Sequence, residues 1–224
     1  MEPKGETIRN MQRRKYISIR IAREGYPYIL IPLMVALFLF IYGSPIPASL
    51  LLLVSGGMGF FFRDPPRTIP GEAKAIVSPA DGRVMKIAPL TTPEGERRVL
   101  VSIFLSLFDA HINRAPVRGK IIKVNHQPGR FHPAFKEKAS RVNERNIIII
   151  SNQETSIILH QIAGILARRA ILWKKEGDSL LKGERIGIIR FGSRVDLWLP
   201  PEVKITIHPG QKVKAGSSII GRLR

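Results

Sequence analysis

The most constraining feature of this sequence is a long stretch without charge near the N-terminus. From Gly25 to Phe62, 38 consecutive residues include no Asp, Glu, Lys or Arg. A helix that spans a bilayer needs about 20 residues, so this stretch is too long for one span and nearly long enough for two. The turn-forming sequence G-S-P-I-P at Gly43–Pro47 divides it into Tyr28–Tyr42 and Ala48–Phe62. We therefore predict a transmembrane helical hairpin at residues 27–62.

The two halves of this hairpin are short for membrane spans. Each has 15 residues, which is about 23 Å of helix against a hydrocarbon core of about 30 Å. Two short spans that thin the bilayer locally are the preferred interpretation, and a re-entrant hairpin is the alternative.

The orientation of the hairpin follows from the basic residues around it, because cytoplasmic flanks of membrane spans are rich in Lys and Arg. The connecting loop carries no charge, so both ends of the hairpin are predicted to lie in the cytoplasm, with the remaining chain on the cytoplasmic side of the cell membrane. A cleaved signal peptide is disfavoured, since the basic segment is too long and no small-x-small cleavage site follows the apolar run. The basic residues are Lys4, Arg9, Arg13, Arg14, Lys15, Arg20 and Arg23 before the hairpin, and Arg63 and Arg67 after it.

The overall charge indicates an anionic partner. The chain has 36 Lys and Arg against 17 Asp and Glu, a formal net charge of +19. Nucleic-acid binding is disfavoured, because aromatic residues make up only 7% of the chain and no nucleic-acid-binding motif is present. An anionic membrane surface is therefore the predicted partner. Cysteine is absent, which excludes disulfides and thiolate metal sites.

After Arg63 the sequence changes to short β-rich runs separated by Gly and Pro, and no long amphipathic helix competes with them. We predict a mainly β domain at residues 63–224, preceded by the hairpin at 27–62 and a basic cytoplasmic segment at 1–26. The predicted strands are Ala75–Val77, Arg83–Ala88, Arg98–Phe104, Gly119–Val124, Asn146–Ser151, Ser156–Ile165, Arg185–Arg190, Arg194–Leu199 and Val203–Ile207.

A weak internal repeat lies near the C-terminus, at Gly177–Gly187 and Gly210–Gly221. Each copy has a Gly-containing polar turn, an apolar residue, a second Gly turn and a strand. The pattern resembles the two halves of biotinyl and lipoyl carrier domains, which have the barrel-sandwich-hybrid fold. Those domains carry a modified lysine on the hairpin between the halves, where this chain has Phe191-Gly192-Ser193. Lys86 imitates the carrier motif but lies in the first strand, so the resemblance is one of fold only.

Four stretches contain residues that could perform chemistry, although each alone has an ordinary explanation. S-P-A-D-G suits a tight turn, a lone histidine usually has a structural role, two arginines after an apolar run are usually solvated, and Gly-Ser suits a hairpin tip. The stretches are S-P-A-D-G at Ser78–Gly82, D-A-H-I-N-R-A-P at Asp109–Pro116, A-G-I-L-A-R-R at Ala163–Arg169, and R-F-G-S-R-V-D at Arg190–Asp196.

In this order and spacing, the four stretches resemble the phosphatidylserine decarboxylase family, in its short bacterial and archaeal form. The resemblance covers roughly Phe61 to Leu199 and includes F-F-R-D-P-P-R after the hairpin. It implies a proenzyme that cuts itself between Gly192 and Ser193 into a large chain, 1–192, and a small chain, 193–224. Ser193 would then become a pyruvoyl group, the only cofactor implied, with no metal.

The resemblance also implies what the pyruvoyl group does. Its ketone forms a Schiff base with the amine of phosphatidylserine, and loss of CO₂ leaves phosphatidylethanolamine. A serine hydroxyl needs a base before it can attack the Gly192 carbonyl. His111 is the candidate base, with Asp81 predicted to orient it as in a Ser-His-Asp arrangement.

One position departs from the pattern of longer family members. They carry a second histidine, associated with self-cleavage, three residues after the first, where this chain has Arg114. His111 could therefore serve cleavage, decarboxylation or both. His126, His132, His160 and His208 are not predicted to take part.

Three alternative functions remain open from the sequence. Archaetidylserine could replace phosphatidylserine as the substrate. A membrane-tethered serine hydrolase could use Ser193, His111 and Asp81 without self-cleavage, although the G-x-S-x-G elbow of many hydrolases is missing. A non-enzymatic carrier domain is the third alternative.

Overall fold

The structure is a computed structural model that describes residues 20–92, 95–134, 139–164, 169–190 and 192–223. Several residues that the sequence analysis named lie outside this description. They are Lys4, Arg9, Arg13, Arg14 and Lys15 of the basic segment, Ile165 and Arg168 of the A-G-I-L-A-R-R stretch, and Phe191 before the predicted cleavage site.

The charge-free stretch forms two helices. A 3-10 turn at Arg23–Gly25 leads into α1, Tyr26–Ile41, and α2 covers Pro45–Phe61. The Ser55 hydroxyl of α2 donates to the Ile29 carbonyl of α1, 2.8 Å away. Within the described residues, Arg23–Ile41 is the one helical segment whose length and apolar composition suit a membrane crossing, and α2 is shorter.

The second helix begins earlier than predicted. The turn was expected to run through Pro47, yet α2 starts at Pro45, because proline fits the first turn of a helix, where no backbone N–H donor is needed. The loop is therefore only Tyr42–Ser44, with Gly43 at a φ of +76°.

The rest of the described chain is mainly β, as predicted. The strands are β1 Arg20–Ile21, β2 Arg63–Asp64, β3 Ala75–Val77, β4 Gly82–Thr91, β5 Arg97–Leu105, β6 Ile112–Arg114, β7 Gly119–Gln127, β8 Arg145–Ser151, β9 Ser156–Ile162, β10 Ala170–Leu172, β11 Ser179–Leu180, β12 Arg185–Ile189, β13 Ser193–Leu199, β14 Lys204–Ile205, β15 Lys212–Val213 and β16 Ile219–Arg222. Eight antiparallel strands in the order β11-β7-β8-β9-β13-β5-β4-β15 form a sheet curled into a half-barrel. Two three-stranded sheets have the orders β10-β12-β6 and β14-β16-β3, and β1 pairs with β2.

The core lies on one face of the large sheet. Along β13, Val195, Leu197 and Leu199 are fully buried on that face, as expected from side chains that alternate along a strand. All nine predicted strands are present, β3 with the predicted bounds and the other eight with different ends. Among the described residues, seven short strands (β1, β2, β6, β10, β11, β15 and β16) and the one-turn helix α3, Ala139–Val142, were not predicted. Strands of two to four residues are too short to show a period of two.

Gly192 does not lie at the tip of a hairpin, so the simplest interpretation of the sequence is wrong at this position. Strand β12 belongs to a three-stranded sheet, whereas β13 belongs to the large sheet. Ser193 at the start of β13 pairs with Leu105 of β5, and the other edge of β13 pairs with β9. The Gly192–Ser193 bond therefore lies where the chain crosses from one sheet to another.

The internal repeat is visible in the backbone. Its four turn glycines, Gly177, Gly183, Gly210 and Gly216, all have positive φ, between +74° and +93°. The second glycines of the two copies also lie side by side: a Cβ added to Gly216 would be 3.5 Å from the Cα of Gly183. The two copies therefore use matching turns that face each other.

The helical hairpin packs directly on strands β6 and β12. Ala22, Phe61 and Phe62 form a small apolar cluster with Ile112 of β6 and Ile188 of β12. Polar contacts reinforce this junction. Arg190 donates to the Tyr28 hydroxyl (2.8 Å), and the Trp173 indole donates to Glu24 (2.7 Å). A chain starting at Arg63 would lose Phe61 and Phe62 and would expose the apolar faces of β6 and β12.

Candidate active site

Ser193 is fully buried at the first position of the central strand β13. Its hydroxyl oxygen has no hydrogen-bond partner among the described residues. The preceding residue, Gly192, has a φ of +61°, a conformation that L side chains rarely adopt. A left-handed turn that favours glycine thus precedes a buried serine whose hydroxyl has no partner among the described residues.

The carbonyl oxygen of Gly192 lies against another glycine. A Cβ added to Gly164 would be 1.8 Å from that oxygen, so only glycine permits this approach. The segment that carries Gly164 is fixed by Asn143, whose side-chain amide donates to the carbonyls of Ala163 (2.7 Å) and His132 (2.8 Å). The Gly192 carbonyl oxygen is therefore closely packed against a segment that Asn143 holds in place.

His111 is fully buried beside the end of the helical hairpin, with its ring centroid 4.1 Å from that of Phe61. Its Nδ1 lies 2.9 Å from the Asp109 carbonyl oxygen. A neutral ring that donates from Nδ1 leaves a lone pair on Nε2, and this atom has no partner among the described residues.

Burial keeps this imidazole neutral. It lowers the pKa of His111 from 6.5 to about 4, because the charged form loses its hydration. The hydrogen bond to the Asp109 carbonyl and the Asp109 charge act in the opposite direction, and the charge of Arg63 lowers the pKa further. At neutral pH, His111 is therefore an uncharged imidazole whose buried Nε2 lone pair has no partner among the described residues.

The topology brings His111 and Ser193 to the same end of the domain. The backbone N–H of Ile189, at the end of β12, donates to the His111 carbonyl at 3.3 Å, and Ser193 pairs with Leu105 at the end of β5. The two pairings, Ile189 with His111 and Ser193 with Leu105, thus bring the start of β13 close to the turn before His111.

Like the Ser193 hydroxyl and His111 Nε2, the side-chain nitrogen of Asn113 is a buried polar group without a hydrogen-bond partner among the described residues. The Asn113 residue is fully buried. Its oxygen accepts from Gln161 at 2.8 Å, and Gln161 in turn accepts from Asn146 at 3.1 Å. This chain of amides fixes the orientation of the Asn113 side chain.

Asp81 makes different contacts from those predicted. Its two carboxylate oxygens bind the Arg67 guanidinium at 2.6 Å and the backbone N–H of Ala215 at 2.8 Å. The Nδ1 of His111 bonds the Asp109 carbonyl rather than Asp81. The described contacts therefore give Asp81 a tethering position between the S-P-A-D-G loop and the C-terminal repeat, and its predicted role in catalysis stays a prediction.

Arg114 occupies the position where longer family members carry a second histidine. Its guanidinium is buried and pairs with Asp64 at 2.7 Å, and Arg185 pairs with the same carboxylate. Arginine remains protonated in proteins, so it does not replace a histidine as a base. It joins β6 to the segment that follows the hairpin.

Sequence reasoning missed Asp109, Asn113, Gly164 and Phe61 as parts of this site. Asp109, Asn113 and Gly164 lie in the stretches named in the sequence analysis. Asp109 and Asn113 lie on either side of His111, and Gly164 precedes the two arginines, so these positions were the available signal. The stacking of Phe61 on His111 joins residues 50 positions apart, and no local pattern predicts it.

Comparison with known proteins agrees with this description. The family model described as phosphatidylserine decarboxylase matches residues 57–221. A phosphatidylserine decarboxylase proenzyme of Symbiobacterium thermophilum is 44% identical over 209 residues, covering 91% of this chain and 95% of the relative. The proenzyme of Solibacter usitatus is 45% identical over 204 residues, covering 91% and 97%.

These similarities extend over nearly the whole length of each relative. A third, the proenzyme of Carboxydothermus hydrogenoformans, is 42% identical over 209 residues, covering 90% of this chain and 96% of the relative. The protein is, by class, a carboxy-lyase of phospholipid biosynthesis. The chain belongs to the phosphatidylserine decarboxylase family.

Proposed function

We propose that this protein decarboxylates phosphatidylserine to phosphatidylethanolamine with a pyruvoyl group that it makes from Ser193 by cutting itself. The observation that carries the proposal is the buried Ser193, whose hydroxyl has no hydrogen-bond partner among the described residues. It directly follows Gly192, whose backbone is in the left-handed conformation. Family membership supplies the substrate. The alternative substrate, archaetidylserine, differs in its lipid tails and keeps the same serine headgroup.

Self-cleavage follows from the chemistry of these two residues. The Ser193 hydroxyl attacks the Gly192 carbonyl and replaces the amide by an ester, with the amine of residue 193 set free. Loss of the Cα proton of residue 193 then expels the Gly192 carboxylate and leaves a dehydroalanine. This residue tautomerises and takes up one water, releasing ammonia and forming the pyruvoyl group. The overall reaction consumes one water and needs no oxidant.

His111 supplies the base that serine needs. Its Nε2 is neutral and without a partner among the described residues, and the Asp109 carbonyl fixes the tautomer. Asn113 offers an N–H donor to an oxygen that gains negative charge during the reaction. A serine hydrolase would use the same residues, but the left-handed turn at Gly192 and the fit of its carbonyl against Gly164 favour cleavage of this chain's own bond.

The residues around Ser193 fit the proposed group. When formed, a pyruvoyl group supplies a ketone that withdraws the electrons left by departing CO₂. Burial at the start of β13 shields this position from bulk solvent. The hairpin seals one side through Phe61, which stacks on His111.

The two cleavage products are proposed to remain associated as a heterodimer, 1–192 with 193–224. Strand β13 of the small chain pairs on both edges with strands of the large chain, β5 and β9. Asp81 of the large chain accepts from the Ala215 N–H of the small chain. The matching turns of the C-terminal repeat support a barrel-sandwich-hybrid-like arrangement for this part of the domain.

We place the protein at the cell membrane, with the basic segment 1–26 and the β domain 63–224 on the cytoplasmic side and the hairpin 27–62 inserted. The many exposed apolar side chains of α1 and α2 support insertion, for example Ile46 at 85% and Leu53 at 74% exposed. The packing of Phe61 on His111 then holds the reaction centre at the membrane surface, where the anionic lipid substrate lies.

Intact-mass analysis of the purified protein tests this proposal. We expect two chains, one ending at Gly192 with a free carboxylate and one beginning at residue 193. The small chain should be lighter by one ammonia than the same chain with an N-terminal serine, and it should resist Edman degradation. A folded, active protein at full length with serine at 193 would contradict the mechanism.

His111 can be tested separately. His111→Ala should accumulate as uncut precursor, with cutting slowed about 100-fold or more, the usual contribution of a general base. A variant that cuts at the normal rate and fails to decarboxylate would assign His111 to the second reaction only. His208→Ala is the control, because His208 is exposed.

The depressed pKa of His111 also predicts a dependence on pH. The unfolded chain takes up the proton near pH 6.5 and the folded chain only near pH 4, so protonation favours the unfolded state between these values. In an uncut Ser193→Ala precursor, the free energy of unfolding should therefore fall as the pH is lowered from 6.5 to 4. Adding His111→Gln should remove most of this His111 contribution, and the His111 ring should titrate near pH 4 by NMR.

A further inference from the structure

The turn before His111 points two apolar side chains outward. Leu107 is 46% exposed and Phe108 is 78% exposed, between the end of β5 and His111. Single exposed apolar residues are common on protein surfaces, so exposure alone indicates nothing. The position of this turn is what distinguishes it.

The turn lies beside the end of the helical hairpin. The guanidinium of Arg63, the first charged residue after the apolar stretch, donates to the Phe108 carbonyl (2.6 Å) and to the Phe60 carbonyl (2.7 Å). The same guanidinium covers the Phe60 ring at 3.8 Å from its centroid, and Phe60 is half exposed. Phe108 and Phe60 are thus joined through one arginine at the level where the apolar helix ends.

The turn is also braced from within. The Asp109 carboxylate accepts from the backbone N–H of Ser106 (2.8 Å) and from its hydroxyl (2.7 Å). The carbonyl of the same Asp109 is the partner of His111 Nδ1. A braced turn presents Leu107 and Phe108 in a fixed direction, and any displacement of the turn is passed to His111.

We propose that the Leu107–Phe108 turn enters the headgroup region of the bilayer next to the hairpin, as a membrane contact of the β domain itself. The inference rests on the proposed function in one respect, the insertion of the hairpin. Aromatic side chains and arginine are the residues found at this depth, where a ring is buried and a guanidinium meets phosphate. The contact would bring the headgroup of a bilayer lipid to His111 and Ser193 without extraction of its tails.

The absence of cysteine from the chain allows a direct test. Phe108→Cys gives a single thiol for an environment-sensitive fluorophore in the full chain, reconstituted into phosphatidylcholine vesicles with phosphatidylserine. We expect blue-shifted emission and quenching by lipids brominated near the headgroup. Leu181→Cys is the matched control, because Leu181 is an exposed leucine (64%) on the loop after β11. A Phe108 probe that behaves like the Leu181 probe, in water and unquenched, would overturn the proposal.

Activity gives a second and independent measurement. Phe108→Ser should lower kcat/KM on vesicles about tenfold, because burial of one aromatic side chain is lost, and should leave turnover of a soluble short-chain phosphatidylserine unchanged. Leu181→Ser should change neither. Equal losses on both substrates would show that the turn supports the site rather than the membrane contact. An inactive wild-type protein whose Phe108 probe is still quenched would contradict the proposed function and leave the contact intact.

Discussion

Ser193→Ala should yield one intact chain without decarboxylase activity. The substitution removes the attacking oxygen and leaves the rest of the strand in place, since alanine fits wherever a buried serine without a hydrogen-bond partner fits. A denaturing gel should show a single band, and an assay with phosphatidylserine should show no turnover. The precursor should fold, because β13 keeps its pairing with β5 and β9.

The matched control for Ser193→Ala is Ser217→Ala, at a half-buried serine in the C-terminal repeat. This variant should cut and turn over normally. Cleavage of Ser193→Ala at the same bond would mean that another nucleophile attacks the Gly192 carbonyl, and the role of Ser193 would have to be withdrawn.

Gly164→Ala should block self-cleavage almost as completely. The added Cβ would be 1.8 Å from the Gly192 carbonyl oxygen, so either the carbonyl must move or the loop must open. Overpacking of this kind typically destabilises by about 1–3 kcal/mol, which a folded domain tolerates. We therefore expect a folded precursor with a somewhat lower Tm and cutting slowed about 100-fold, since small displacements of reacting atoms have effects of this size.

Gly71→Ala provides the comparison for Gly164→Ala. No atom lies within 4 Å of the Cβ that it would add, and the φ of Gly71 is outside the left-handed region. Its Tm and rate of cutting should match the wild type. If Gly164→Ala cuts at the wild-type rate, the fit of the Gly192 carbonyl against Gly164 has no part in the reaction.

The sequence predicted those parts of the molecule that depend on local patterns. The apolar hairpin, the β domain and the glycine turns of the repeat all follow from periodicity and turn chemistry within about ten residues. Gly192 and Ser193 were predicted as the cleavage site because they lie next to each other in a motif, and that role stays a prediction. Several strands of two to four residues, such as β6, were missed, although β6 carries Asn113 between His111 and Arg114.

The contacts that shape the site join distant parts of the chain, and no local pattern reveals them. The Asp81 side chain was expected beside His111, but Arg67 and the Ala215 N–H take both of its oxygens. The neighbour of Gly192 is Gly164, and that of His111 is Phe61. Each of these pairings depends on how the sheets and the hairpin meet, which is a property of the assembled fold.

The central position of β13 has a consequence for reversibility. In the proposed mechanism, β13 must pair with β5 and β9 before Ser193 is buried, so self-cleavage would follow folding. Once the bond is cut, the last 32 residues, 193–224, no longer belong to the same polymer as β5 and β9. An unfolded precursor can return to its structure in a first-order reaction, whereas an unfolded mature enzyme must find its small chain by collision. The lifetime of the mature enzyme is therefore set by how slowly β13 leaves the sheet.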